Sequence, residues 1–250
     1  MNAVESRSRW LVFCYPNDYS ALWAVAGLTR RGLIPMDVVA PEALVCSPTL
    51  VHTIVEGRSR TMFKLPGGTV IDSALIRGVL NRMTSLPTAH LDGAAPDDAA
   101  YAQQELHATV LSVLYGLGEA AINSPTPQGL AGRFRTVVEW LWLAGRAGLL
   151  APDYVGGARD ARAQLAAPSG DARSVIVFDG CAFGPAIPED VEASVARFAT
   201  LAETRLVGID LVEARDGTWW FTGASTTPDL RVGGEPLLDA LATALGQTSS

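Results

Sequence analysis

Four polar side chains stand where two apolar runs stop. Leu75-Ile76-Arg77-Gly78-Val79-Leu80 ends on Asn81-Arg82, and a shorter run ends on Ile122-Asn123-Ser124-Pro125. Read as two strands of one sheet, they place amide and guanidinium groups at a carboxyl edge, where open α/β sheets bind ligands. Arg133 follows at what reads as the start of the next helix, where charge and free amides suit an anion. Asn81, Arg82, Asn123 and Arg133 are therefore the candidate ligand-binding set, expected to converge on one polar cleft. A competing reading has Arg82 and Asn123 satisfying loop carbonyls, and residue type does not separate the two.

Other reactive residues form weaker patterns. Cys14 ends the first apolar run near the same edge and is the best candidate for a thiol nucleophile, with simple packing as its alternative. Cys14, Cys46 and Cys181 are widely spaced and lack a C-x-x-C pair, and with His52, His90 and His107 they build no zinc spacing. Lys64 is the only lysine, so lysine chemistry elsewhere is excluded. It reads as a solvated strand residue, and His52 as an exposed or cross-strand one. No G-x-S-x-G elbow is present, and no G-x-G-x-x-G follows the first strand. Asp97-Asp98 and Glu189-Asp190 read as helix-start charges rather than acid–base partners.

The elements that must position these residues are legible in order. Trp10 to Tyr15 is a buried-strand pattern, Tyr19 to Arg31 a helix capped by Asn17 or Asp18, and Ile34 to Val39 the next strand. Val51 to Ile71 reads as an antiparallel meander. A helix opened by Asp97-Asp98 runs to Leu117. Another, around Gly132 to Trp140, is expected to bury Leu130, Phe134, Val137, Val138, Leu141 and Ala144 and to stop at Gly148. Gly156 to Gly170 reads as a linker. Beyond it come a strand at Ser174–Phe178, the turn Asp179-Gly180, a helix from Pro188 to Ala202, and the hairpin Leu206–Thr222 around Asp216-Gly217. A terminal helix spans Glu235 to Gly246. One indole of Trp219-Trp220 is expected inside and the other outside.

At 250 residues, 48% hydrophobic and 18% charged, the chain suits one large or two small domains with a real core. A net charge of −7 argues against nucleic-acid binding. Met1 to Arg9 lacks an apolar signal core, and no run reaches the ~18 to 20 apolar residues of a membrane span. The expectation is a cytoplasmic protein with reduced cysteines and no membrane partner.

The last third resembles the C-terminal lobe of ATP-grasp ligases. In that family a G-x-D strand leads through a turn to a strand ending E-x-N-x-x-P. Here Gly208-Ile209-Asp210 precedes Asp216-Gly217, an aromatic strand, and Gly223-Ala224-Ser225-Thr226-Thr227-Pro228. The early β-α-β order is similar to the family's N-terminal domain. The resemblance implies an α/β fold: an N-terminal Rossmann-like, pre-ATP-grasp-type domain with a mainly parallel sheet (9–155), a linker (156–170), and a smaller antiparallel α+β C-terminal lobe (171–250). It also implies a magnesium site made by the Asp, Glu and Asn of the pattern. This sequence keeps Asp210, the one weak metal candidate, but has Gly223 and Ser225 at the other two positions. The central nucleotide lobe has too few residues between Pro152 and Ser174, and no lysine. Without metal and phosphate neutralisation, phosphoryl transfer loses its main electrostatic support. The expectation is a truncated ATP-grasp-like protein with no cofactor and no Mg-ATP ligase activity. It would act as a binding or accessory component in peptide modification or natural-product biosynthesis. The alternative is an ATP- and Mg-dependent carboxylate–amine ligase, or another enzyme, with a rebuilt site. Expected partners are a peptide, a protein or a small molecule, with a homodimer as a further arrangement.

Overall fold

A computed structural model describes residues 8–152, 154–155, 164–165 and 169–247. They fall into two compact units: the residues up to Arg133 together with those from Leu241 on, and Phe134–Ala240.

The first unit is built on a parallel sheet of order β2-β1-β6-β7: β1 (Arg9–Phe13), β2 (Met36–Val39), β6 (Ile76–Asn81) and β7 (Ala121–Ile122). Between β1 and β2 lies α1 (Tyr19–Arg30), N-capped by Asp18, which accepts the Ala21 N–H. Gly32, at φ +90°, supplies the left-handed turn that ends it. After the short α2 (Pro41–Val45), a separate antiparallel sheet of order β3-β4-β5 forms from β3 (Val51–Val55), β4 (Arg58–Lys64) and β5 (Val70–Asp72). Alternation along β4 turns Thr61 and Phe63 inward and leaves Arg60, Met62 and Lys64 outside. The core joins Leu11, Phe13 and Val79 of the parallel sheet to Phe63, Ile71, Val110 and Leu114. Helix α3 (Pro96–Tyr115) opens with Pro96 in its first turn. Ala95 is its N-cap, and Asp97 and Asp98 act on the helix dipole from the first turn. Its buried residues are Val110, Val113 and Leu114, and Leu106 and Leu111 pack against the core at partial burial.

The second unit sets an antiparallel sheet of order β11-β10-β12-β13 against two helices. Its helix α4 (Val137–Ala147) begins later than the sequence suggests. Gly132 is left-handed at φ +87°, and the helix starts only where Thr136 and Glu139 form a reciprocal capping box. Its buried face is also rotated: Trp140, Leu141, Leu143, Ala144 and Ala147 go inside, while Phe134, Val137 and Val138 stay exposed. Two two-residue strands, β8 (Tyr154–Val155) and β9 (Gln164–Leu165), pair with each other. Most of the expected linker lies outside the described residues, and Gly170 already opens β10 (Gly170–Phe178). The turn Asp179-Gly180, both at positive φ, leads into β11 (Cys181–Phe183). Then follow α5 (Glu189–Leu201), β12 (Leu206–Ala214), β13 (Trp219–Ser225) and α6 (Gly234–Gln247). Trp140 stacks on Phe198 at 5.6 Å, and Phe198 meets Phe221 at 5.3 Å. This aromatic core is why α4 belongs to the second unit rather than to a domain ending at residue 155. Both Trp219 and Trp220 are half-buried, so the expected in-and-out split is not found.

The architecture is α/β, with a parallel N-terminal sheet and an antiparallel α+β C-terminal unit. Among the described residues no helix is long and apolar enough to cross a membrane.

Candidate functional site

Two of the four candidates, Asn81 and Asn123, meet at the carboxyl edge of the parallel sheet. Asn81 is buried at the end of β6; its Nδ2 donates to the carbonyls of Asn123 (2.9 Å) and Leu130 (2.7 Å), and its Oδ1 accepts from Met83 N (3.2 Å). Both amide protons are thereby used in closing the 123–130 loop over the strand end. Arg82, also buried, donates Nε to Asp18 Oδ2 at 2.7 Å and a terminal nitrogen to Asp18 Oδ1 at 3.2 Å. The same carboxylate caps α1, so the ion pair ties that helix start to β6. Asn123 is buried beside Asn81, whereas Arg133 is exposed and makes none of these contacts. Asn81 thus satisfies loop carbonyls, whereas Arg82 pairs with the Asp18 carboxylate. Local sequence carried no signal for the Asp18–Arg82 pairing, whose members lie 64 residues apart.

Cys14 adjoins this edge, fully buried. Burial first, and then the Asp18 carboxylate, push its thiol up to about 11, with the Arg82 guanidinium pulling the other way. A buried thiol held protonated matches the packing alternative. His52 bridges two hydroxyls: its Nδ1 lies 2.8 Å from Thr61 Oγ1 across the strands, and its Nε2 lies 2.9 Å from Ser112 Oγ on α3. That is the cross-strand role expected of it, with a second anchor on the helix.

In the second unit, Asp210 of β12 lies opposite Ser174 of β10 and Gly223 of β13, and Gly208 lies opposite Ser225. Residues two apart share a face, so Asp210, Gly223 and Ser225 line one side of the sheet. Thr222 is the extra residue of a bulge here, and its hydroxyl donates to the Asp210 carbonyl at 3.1 Å. Ser174 Oγ donates to Asp210 Oδ1 at 2.6 Å. Ser225 Oγ accepts from Thr227 N at 3.1 Å, closing the turn into Pro228. A Cβ on Gly208 would fall 2.5 Å from Pro228 Cβ, so that glycine lets the loop cross the sheet closely.

Solved structures share the fold that carries these residues. Macrocyclase MdnB from Microcystis aeruginosa MRC superposes with a TM-score of 0.70 at 14% identity, covering 96% of this chain and 100% of that one. A RiPP-associated ATP-grasp ligase from Chryseobacterium gregarium, in complex with ADP and a leader and core peptide, gives 0.69 at 10% identity, covering 94% and 97%. The ATP-grasp ligase PsnB, complexed with minimal precursor, Mg and ADP, gives 0.67 at 19% identity, covering 95% and 98%. The chain has the ATP-grasp ligase fold. No family model and no curated protein sequence matches it.

Within that ATP-grasp fold, the residues around Asp210 do not fit a magnesium site. A hard cation of this size takes oxygen donors in near-ideal octahedral geometry, with carboxylates supplying the charge. Asp210 offers one carboxylate, already accepting from Ser174, while Gly223 offers no side chain. The nearby acids are engaged: Glu213 pairs with Arg173, and Asp229 caps the turn at 230–233 and pairs with Arg231. Among the described residues no cluster of three His, Cys, Asp or Glu side chains could hold a metal.

Proposed function

We propose that this chain is a reduced ATP-grasp-like protein that binds a peptide as an accessory component of peptide modification, without Mg-ATP ligase activity of its own. The observation that carries the reading is the Asp210 face, where a single carboxylate looks across the strands at Gly223 and Ser225. The peptide part of the reading is supported by similar structures, which include a ligase bound to leader and core peptides and macrocyclase MdnC bound with precursor peptide MdnA.

Purified protein is incubated with ATP, Mg²⁺ and a panel of carboxylates and amines, with ADP release and product mass measured. No turnover is expected. Turnover that disappears in Asp210→Ala would establish the ligase reading instead. Turnover that needs a second protein would make the chain one half of a split enzyme.

A further inference from the structure

We infer that the outer edge of β3, unpaired among the described residues, is a docking strand for an extended acidic peptide segment, which adds to the β3-β4-β5 sheet. The inference deepens the accessory reading by naming a surface and a ligand chemistry.

β3 is the outer strand of its sheet, and its sequence Val-His-Thr-Ile-Val has no charge, proline or bulge. Those are the devices by which edge strands normally block further pairing. Its partner β4 is joined through Glu56-Gly57, both at positive φ, a two-residue turn flanked by the pair Val55 and Arg58. In such a hairpin the flanking pair is hydrogen-bonded and every second pair thereafter. The Thr53–Arg60 and Val51–Met62 pairs therefore bond inward, and the backbone groups of His52 and Ile54 point away from β4. An incoming strand would meet these donors and acceptors in the usual β-addition mode.

The outer face chooses the occupant. Val51, Val55, Met62 and Val70 leave apolar surface exposed there, interleaved with Arg58, Arg60 and Lys64. The carboxylate among them, Asp72, is taken by Arg60 through two contacts of 3.1 and 2.5 Å. Among the described residues Arg58 and Lys64 form no ion pair. A second copy pairing through its own β3 would bring no carboxylate on the strand itself, its Glu56 lying in the turn beyond. A strand alternating apolar and acidic residues matches both the exposed valines and the unmet cations, which lie about two strand spacings away, within reach of long side chains.

The probe is a fluorescein-labelled peptide of alternating valine and glutamate, about ten residues long, the upper range of ordinary strands. A lysine-for-glutamate counterpart serves as control, and anisotropy is read on the full chain. Ile54→Pro removes an outward donor without touching a hairpin bond and is tolerated on an edge. Arg58→Glu tests the charge independently, and far-UV circular dichroism and melting confirm both folds. The glutamate peptide should bind the wild type and lose about tenfold or more in affinity in each variant. The lysine peptide should fail on the wild type and gain affinity for Arg58→Glu. Equal glutamate-peptide binding to all three proteins would overturn the β3 site while leaving peptide binding elsewhere standing. Absence of any peptide binding would overturn both. Self-association that vanishes in Ile54→Pro would overturn it in favour of a second copy.

Discussion

Cys14 shows how a reactive residue type becomes an inert one. A free thiol ionises near 9.0, and in the folded chain burial and then Asp18 raise this to about 11. Between those values the native state holds a proton the unfolded state has released. Stability should therefore fall as pH rises from about 9 to about 11, by on the order of 2 kcal/mol. Denaturant titrations across that range should show the extra slope in the wild type and lose it in Cys14→Ala. A thiol reagent at neutral pH should modify the exposed Cys46 and Cys181 and spare Cys14 until unfolding. Asn81 is the second residue whose type misleads. Asn81→Ala would leave two buried carbonyls without their donor, costing about 3 kcal/mol in a chemical melt. That these side chains gather at a sheet edge is legible in the sequence, because polar residues stop apolar strands there. Their partners are not, since Asn81 reaches across 42 and 49 residues to backbone groups that have no identity in the sequence.

At the scale of elements, strands and turns read well because their signals are local: period-two alternation, and glycines at positive φ in the tight turns. Helix α4 read badly for a physical reason. Val137, Val138, Trp140, Leu141, Trp142 and Leu143 are apolar on every side, so periodicity cannot choose a face. The choice is made by Phe198 and Phe221, which draw Trp140 inward, and by Arg135, whose guanidinium lies 5.0 Å from that indole and donates to Ala202 O. The Gly208 crossing is a sharper case. Gly208→Ala would drive a methyl into Pro228, and overpacking of this kind costs about 1–3 kcal/mol, measurable by thermal unfolding. Gly223 behaves differently, because a Cβ there would rest an ordinary 3.5 Å from Asp210 Oδ2. The double variant Gly223→Glu, Ser225→Asn should therefore fold. It should acquire a Mg²⁺-dependent rise in melting temperature that the wild type lacks, and loss of that rise in a further Asp210→Ala change would confirm the ligands.

Among the described residues, the first unit draws on both early and late parts of the chain. Gly78 of β6 leaves room for Leu245 of α6, where a Cβ would come within 2.9 Å of the leucine, and the Trp10 indole donates to the Leu245 carbonyl at 3.1 Å. Leu245→Ala should cost about 2–5 kcal/mol. Amide hydrogen exchange should quicken in β1 and β6, with β10 and β12, which lie in the other core, keeping their protection. The borrowed leucine also sets a timetable for synthesis. A ribosome adding roughly 5–20 residues per second completes Arg133 and then needs on the order of ten seconds to deliver Leu245. Throughout that interval the nascent parallel sheet carries Trp10 and Gly78 uncovered, and before it ends the later unit has received Phe198 and Phe221. The half of the protein made first is thus the half finished last, and a ribosome stalled short of Leu245 would display an incomplete N-terminal sheet to any chaperone waiting at the exit.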